Sequence, residues 1–184
     1  MALRRRSGAE PVSSDRLELV LLDRPLMRSL LEGRRTEAEA ALGAAIPAGW
    51  PDEEERWLLA LRLSQVEADP EAAPWLLRAA VLRADGEMVG HVGFHQPPDA
   101  RGRVEIGYSI FPARRRRGYA YEAALALAGW AARRGAMTLV ASVSPINAAS
   151  LALVSKAGMR QVGSQWDERD GEELVFERAL AELP

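Results

Sequence analysis

The chain has 184 residues, of which 48% are hydrophobic and 27% charged, and this is typical of one folded domain with its own core. A formal net charge of −2 argues against a generally basic nucleic-acid-binding protein. The absence of cysteine and the presence of only two histidines, His91 and His95, exclude disulfides, cysteine nucleophiles and a Cys- or His-rich metal centre. We therefore expect no metal site.

The N-terminal segment differs in composition from the rest. Residues 1–14 are polar and basic without apolar periodicity, so we predict a flexible tail there and a single domain over residues 15–184. No apolar segment follows Arg4 to Arg6, which argues against a secretory signal. The most apolar long segment, 119–132, is shorter than the roughly 18 residues that span a bilayer. The sequence predicts a soluble cytoplasmic protein that does not bind a membrane.

The first part of the domain is predicted to hold one strand followed by helices. Residues 16–22 alternate and then become wholly apolar, which is typical of a strand that enters a sheet. Leucines at helical spacing follow over residues 24–42, and Gly33 is expected to divide this segment into two helices. Asp52 precedes three glutamates and a further apolar run, so we expect it to begin a third helix, which Pro70 ends.

The second part is predicted to contain most of a sheet. Two apolar runs flank Asp85-Gly86, a strong hairpin signal. The order of elements indicates an α/β (α+β) fold with helices on the faces of the sheet. The predicted strands are 75–83, 88–94, 103–111, 138–144, 159–165 and 172–178, and the predicted helices are 120–133 and 147–156.

The most specific signal is a strand that leads into a basic turn and then directly into a helix. Four arginines occupy residues 114–117, and Gly118 and Ala120 lie where the helix begins. Small residues let a ligand approach the backbone, and the first N–H groups of a helix have no partners inside it. Such a turn is suited to a phosphate or pyrophosphate. The P-loop and dinucleotide-binding fingerprints are both missing, which argues against an NTPase or a dinucleotide-binding protein.

This turn carries a resemblance to a known family. Arg115-Arg116-Arg117-Gly118-Tyr119-Ala120 matches Gln/Arg-x-x-Gly-x-Gly/Ala, the acyl-CoA-binding signature of the GNAT superfamily of N-acetyltransferases. The resemblance covers roughly residues 16–180, although the early helices match by position only. Further segments resemble the RimJ/RimL-like branch of that superfamily: Glu105-Ile106-Gly107-Tyr108, Asn147-Ala148-Ala149-Ser150 and Lys156-Ala157-Gly158-Met159.

The resemblance implies a fold and an activity. The fold is a GNAT-like mixed, mostly antiparallel sheet of about seven strands with helices on both faces and a splay between the fourth and fifth strands, 103–111 and 138–144. The activity is acetyl-CoA-dependent N-acetylation of a primary amine, in a protein N-terminus or a small molecule, by direct attack in a ternary complex. The alternative is a non-catalytic acyl-CoA-binding or regulatory protein of the same fold. A homodimer is left open.

The same resemblance implies which residues bind acetyl-CoA. The loop amides and arginines would hold the CoA pyrophosphate, while the open strand edge and the following helix would contact the pantetheine arm. Asn147 is also a candidate N-cap, and the two roles can coexist. The expected cofactor-binding residues are Ile110, Phe111, Arg115, Arg116, Arg117, Gly118, Tyr119, Ala120, Asn147 and Ser150.

Two residues are predicted to be catalytic. Glu105 is the predicted general base, with binding of the cationic acceptor or an ion pair across the sheet as its alternatives, and Ser150 is predicted to be catalytic as well. Many family members protonate the leaving thiolate with a tyrosine, but Val154 occupies the corresponding position. The general acid is therefore open between Ser150, Ser155, Tyr108 and water.

Two residues are candidate contacts to the acceptor amine. His95 ends a strand beside a proline-rich loop. Trp50 lies in an irregular connector, where packing in the core is the favoured alternative to a substrate contact. A third hypothesis for the function is nucleic-acid binding through residues 114–117. The net charge of −2 and the lack of a spread basic stripe argue against it. We expect no nucleic-acid partner.

Overall fold

A computed structural model describes residues 12–183 and shows one open sheet of eight strands. Their order in the sheet is β1-β2-β3-β4-β5-β6-β8-β7, and only β5 and β6 run parallel among the paired strands of residues 12–183. The predicted mixed, mostly antiparallel sheet is confirmed. The strands are β1 (Val12–Ser13), β2 (Leu17–Leu21), β3 (Leu77–Leu82), β4 (Met88–Phe94), β5 (Arg103–Ile110), β6 (Thr138–Val143), β7 (Arg160–Asp167) and β8 (Gly171–Ala179).

Five α-helices accompany the sheet within residues 12–183, and local signals set where they begin. Asp52 caps the third helix by accepting hydrogen bonds from the N–H groups of Glu54 at 3.0 Å and Glu55 at 3.1 Å. Gly33, with φ +72°, separates the first two helices as predicted. The helices are α1 (Arg24–Leu31), α2 (Arg35–Leu42), α3 (Glu53–Ala68), α4 (Tyr119–Arg133) and α5 (Ala148–Lys156).

Helices cover both faces of the sheet, and an apolar cluster lies between the helices and the sheet on each face. Trp130 of α4 lies in the first cluster, which also includes residues of α5. Leu59 of α3 lies in the second cluster together with residues of α1 and α2. Every residue of β3 is buried, because Ala80 faces the first cluster and its neighbour Ala79 faces the second.

Strand β1 corrects the predicted boundary of the tail. Val12 pairs with Leu19 and Ser13 with Glu18, so the sheet includes two residues that the sequence assigns to the tail. Val12 is 2% exposed, and burial of its apolar side chain stabilises this strand in the sheet. This two-residue strand is the one beyond the predicted seven. The rest of the predicted tail, residues 1–11, lies outside the described residues.

The parallel pair β5–β6 is short, and the two strands then separate. Their register runs from Arg103 opposite Thr138 to Glu105 opposite Val140, with no further pair within residues 12–183. Since β5 continues to Ile110, its last five residues keep one open edge. The predicted splay between these two strands is confirmed.

Glu122 ties the start of α4 to the first strands. Its carboxylate accepts hydrogen bonds from Ser14 Oγ at 2.6 Å and from the Arg16 N–H at 2.8 Å and Nε at 2.7 Å. Arg16 Nη1 also donates to the Arg117 carbonyl at 3.0 Å. Burial raises the pKa of Glu122, but the bonds from Ser14 and Arg16 outweigh it and hold that pKa below its usual value.

Replacing the Glu122 carboxylate tests whether it anchors α4 to the first strands. At pH 7, Glu122→Gln should lower Tm by about 2–6 °C, because a charged acceptor of three hydrogen bonds is lost. A carboxyl whose pKa is lowered on folding stabilises the native state above its unfolded pKa and loses that contribution as pH falls through the folded pKa. The Tm difference between wild type and variant should therefore shrink below about pH 4.

Thermal melts followed by circular dichroism between pH 3 and 8 measure that difference. Glu37→Gln is the control, because Glu37 forms only an exposed ion pair with Arg34 and should change Tm little. A Tm difference that stays constant over the whole pH range would contradict the anchor.

Candidate active site

A cleft of about 1040 Å³ opens where β5 and β6 separate. It is lined by α3, by the ends of β4, β5 and β6, by the start of α5 and by the turn between β7 and β8. The splay therefore gives access from solvent to the middle of the sheet. This is the place where the sequence predicts catalysis.

Glu105 lies at the last paired position of β5, at the base of the splay. Ser142 Oγ donates to Glu105 Oε1 at 2.5 Å, and His95 Nδ1 lies 3.8 Å from Glu105 Oε2. Gly107 leaves room for the imidazole, since a Cβ at that position would lie 3.1 Å from His95 Nε2. The fold thus brings the predicted base and one predicted acceptor contact together.

Burial favours the neutral form of both histidines. Burial, assisted by the positive charge of Arg62, lowers the pKa of His91 to about 4. Burial also lowers the pKa of His95, although the negative charge of Glu105 offsets part of this effect. A neutral imidazole can accept a proton, so His95 is available as a base beside Glu105.

Helix α3 contributes an arginine that the sequence analysis did not single out. Arg62 is 7% exposed, and its Nη1 donates to Gln65 Oε1 and to the His95 carbonyl, both at 2.8 Å. It shares the buried face of α3 with Leu59 and Val66. The available signal was this spacing, because an arginine three residues after one core position and four before the next lies on the apolar face of a helix.

The mouth of the cleft is acidic, and Arg169 bridges it. Arg169 lies over the Trp57 ring, 4.0 Å from its centroid, and 3.6 Å from Glu54 Oε1, so the β7–β8 turn touches α3. Burial, together with Asp52, raises the pKa of Glu55 to about 7. A negative mouth attracts cationic groups such as ammonium. The acidic lining residues are Glu54, Glu55, Asp167, Glu168, Asp170 and Glu173.

Hydroxyl groups line the cleft near the start of α5. The buried Tyr108 hydroxyl has no hydrogen-bond partner among residues 12–183, and burial raises its pKa while nearby Ser150 offsets part of the rise. Asn147 caps α5, its Oδ1 accepting from the Ser150 N–H at 3.1 Å. Val154 is buried in the first apolar cluster, and Ser155 does not line the cleft. Tyr108 and Ser150 therefore remain the side-chain candidates for the acid.

The end of β5 corrects one predicted cofactor contact. The Phe111 N–H donates to the Val89 carbonyl at 3.0 Å and its carbonyl accepts from the Arg114 N–H at 2.8 Å, so neither group is free for a ligand. The reason is register, since Phe111 lies on the side of the strand that faces β4. Ile110 lies at the end of the open edge, where its carbonyl accepts from Arg115 Nε at 2.9 Å.

The loop between β5 and α4 presents unpaired donors. The backbone N–H groups of Arg116, Arg117, Gly118 and Tyr119 have no acceptor among residues 12–183. Gly118 is the N-cap of α4 with φ +82°, and a Cβ there would approach only Arg16 Nη2, at 3.4 Å. The arginine side chains at 116 and 117 are exposed and form no ion pair with the described part of the chain. These features suit an anion.

Trp50 is the second correction. It is 7% exposed and lies in the second apolar cluster, with its ring centroid 6.0 Å from that of Phe111 and 6.5 Å from that of His91. It does not line the cleft, so the predicted substrate contact is wrong. Burial of its large apolar surface beneath the early helices decides its place.

Comparison with known proteins identifies the family. The model of the acetyltransferase (GNAT) domain matches residues 20–160. The chain belongs to the GNAT acetyltransferase family. Its match to the uncharacterized N-acetyltransferase YjdG of Bacillus subtilis is 40% identical over 60 residues, 33% of this chain and 34% of that protein. The matched part thus spans about a third of that relative.

Solved structures share the GNAT fold. A GnaT-family acetyltransferase from Bordetella pertussis is 24% identical with a TM-score of 0.64, over 92% of this chain and 99% of its own. RimL, a ribosomal L7/L12 alpha-N-protein acetyltransferase in complex with coenzyme A, is 18% identical with a TM-score of 0.63, over 92% and 98%. Within residues 12–183 of this GNAT chain, no helix is long and apolar enough to cross a membrane.

The two histidines offer a test of this GNAT site. Their imidazole signals can be followed by NMR, because the sequence contains no others, and a His95→Gln variant assigns them. His91 should stay neutral down to about pH 4, and His95 should titrate below its ordinary value of 6.5. A His91 pKa near 6.5 would contradict its burial.

The lowered pKa of His91 has a consequence for stability. Because the unfolded chain takes up a proton at His91 before the folded chain does, the free energy of unfolding should decrease as pH falls from about 6.5 to 4. Denaturant titrations over this range check the sign.

Proposed function

We propose that this chain is an acetyl-CoA-dependent N-acetyltransferase that acts on a primary amine by direct attack in a ternary complex. Two features of β5 support this proposal most. The loop that follows the strand has unpaired N–H groups, and at the base of the splay Glu105 lies beside His95, whose neutral form burial favours. Family membership supports this proposal. Acetyl-CoA supplies the acetyl thioester that the amine attacks.

The residues present fit the phosphate end of acetyl-CoA. The N–H groups of Arg116 to Tyr119 would donate to the pyrophosphate, and the side chains of Arg115, Arg116 and Arg117 would add charge-assisted bonds. Tyr119 and Ala120 would contribute backbone only, since the Tyr119 ring is buried beneath Arg16. The missing Cβ at Gly118 keeps the loop open to a ligand.

The pantetheine arm would lie along the open edge of β5. The backbone groups of Tyr108 and Ile110 face that edge, because the alternate residues bond to β4. An N–H on this edge would polarise the thioester carbonyl, as donors in an oxyanion hole do. Asn147 and Ser150, at the start of α5, line the same cleft and would contact the arm from the other side.

Proton transfer would use both sides of β5. The acceptor enters as an ammonium ion and must lose a proton before attack, which Glu105 or His95 would accept directly or through a water. Tyr108, kept protonated by its raised pKa, and Ser150 are the groups that would protonate the leaving thiolate. Holding the two reactants together supplies much of the remaining rate.

The proposed acceptor is a primary amine of a small molecule or a protein N-terminus, and the acidic mouth supports a cationic one. The cytoplasmic location and the organisation as a single domain stay predictions of the sequence. A non-catalytic acyl-CoA-binding protein is the alternative, which Val154 at the usual tyrosine position favours. Release of CoA in the presence of an amine distinguishes the two.

Acetyl-CoA should stabilise the fold, and Gly118→Val should abolish this effect. At about 100 times Kd the ligand adds about 2.7 kcal/mol, which raises Tm by about 5–10 °C. A valine at residue 118 places a branched Cβ where the backbone would approach the pyrophosphate. Thermal melts and calorimetric titration measure both effects.

The matched control is Gly135→Val at the other end of α4. Gly135 has φ +89° and open space around its missing Cβ, so both variants carry similar backbone strain, but only Gly118 lies in the loop. Both variants should lose a few degrees of Tm without ligand, while only Gly118→Val should lose acetyl-CoA binding. Normal binding by folded Gly118→Val would overturn the loop assignment.

Glu105→Gln tests the base. If Glu105 takes the proton, kcat should fall by roughly 10²–10⁴-fold while the Kd for acetyl-CoA is unchanged. If it only binds the cationic acceptor, KM should rise instead. Glu173→Gln removes the same charge from another part of the cleft and should cost less than about tenfold. Wild-type rates for Glu105→Gln at low and saturating acceptor would exclude both roles.

A further inference from the structure

One edge of the Arg62 guanidinium has no acceptor. Nη1 makes both hydrogen bonds of this side chain, whereas the buried Nε has no acceptor and Nη2 has none within residues 12–183. Nε–H and Nη2–H lie on the same side of the planar group and form the fork that takes a carboxylate through two parallel bonds. No carboxylate of residues 12–183 forms an ion pair with Arg62, although the side chain is only 7% exposed.

A second buried group points to the same ligand chemistry. His91 is 6% exposed, its Nε2 has no hydrogen-bond partner in the described part of the chain, and it lines the cleft together with Arg62. Buried polar atoms are nearly always hydrogen-bonded, because leaving one unpaired costs free energy. Two such atoms on one cleft indicate a ligand group that accepts hydrogen bonds, from Arg62 and from neutral His91 in the tautomer that carries its proton on Nε2.

The unpaired edge lies close to the reacting groups. Arg62 Nη1 donates to the His95 carbonyl at 2.8 Å, and the ring of the same histidine lies 3.8 Å from Glu105. A single residue thus joins the anion-binding group to the predicted base. An acceptor that touches both must carry its oxygen group only a few bonds from its amine.

On the basis of the acetyltransferase function proposed above, we infer that Arg62, with His91, forms a carboxylate subsite and that the acceptor is a free amino acid. The carboxylate binds the Nε–Nη2 edge while the amine lies at Glu105 and His95. The carboxylates at the mouth favour an amino acid with a second cationic group, such as lysine. A polyamine would leave Arg62 unpaired, and a peptide N-terminus would offer it only a neutral carbonyl.

Wild-type enzyme and matched acceptors test this directly. Initial rates of CoA release are compared for L-lysine, L-lysinamide and cadaverine, and for L-leucine, L-leucinamide and isoamylamine. The free acid should have a kcat/KM about 10- to 100-fold higher than the amide or the amine in each series, since only the acid supplies a charged two-bond partner. Equal or higher values for the amides or amines would overturn the carboxylate subsite.

Variants of Arg62 show whether this residue causes the preference for the acid over the amide. Arg62→Lys and Arg62→Gln keep a donor for the His95 carbonyl but lose the fork, so the ratio of acid to amide should fall toward one, mainly through KM. Arg160→Gln removes an exposed arginine outside the cleft and should leave the ratio unchanged. If acid and amide lose kcat/KM equally in the Arg62 variants, Arg62 only positions His95 and the inference is wrong.

A binding measurement separates this inference from the activity. If no amine releases CoA, the proposed function fails, and calorimetry still compares Nα-acetyl-L-lysine with its amide on the wild-type protein. Binding of the acid alone would support the subsite, and equal binding of both would refute it. This comparison also remains decisive if circular dichroism shows that the Arg62 variants do not fold.

Discussion

The early separation of β5 from β6 is the constraint on which the site depends. The two strands diverge after the Glu105–Val140 pair, while β5 stays paired with β4 from Ile106 to Ile110 and β6 stays paired with β8 along its whole length. Beyond that pair, the facing edges of β5 and β6 form no ladder with each other within residues 12–183. The unpaired backbone edge and the cleft both result from this divergence.

The alternation of β5 distributes the chemistry around that gap. Glu105 and Gly107 lie on one face of β5, whereas Ile106 and Tyr108 lie on the other, against the first apolar cluster with α5. Glu105 thus shares its face with Ser142 and His95, away from the Tyr108 hydroxyl. In the proposed function, the amine and the thioester meet at this strand. The charge pattern follows the same division, with arginines at the loop and carboxylates at the mouth.

Features encoded in a few adjacent residues were predictable from the sequence, whereas features set by distant contacts were not. Asp52 caps its helix by accepting bonds from Glu54 and Glu55, two and three residues further on, and Gly118 lies in a contiguous signature. Trp50, Phe111 and Arg62 depend on which elements pack over them and on strand register. An aromatic residue between two prolines has no local signal for burial, and an arginine on an apolar helix face acquires meaning only when a cleft lies opposite.

The hydrogen bonds of Arg16 make the loop between β5 and α4 depend on chain regions far away in sequence. Arg16 reaches the Arg117 carbonyl and the Glu122 carboxylate across 101 and 106 positions, so the loop cannot take its final shape until the first strands have joined the sheet. In the proposed function, acetyl-CoA affinity is consequently coupled to the assembly of β1 and β2. Fraying at that distant edge would weaken acetyl-CoA binding without any change in the loop's own sequence.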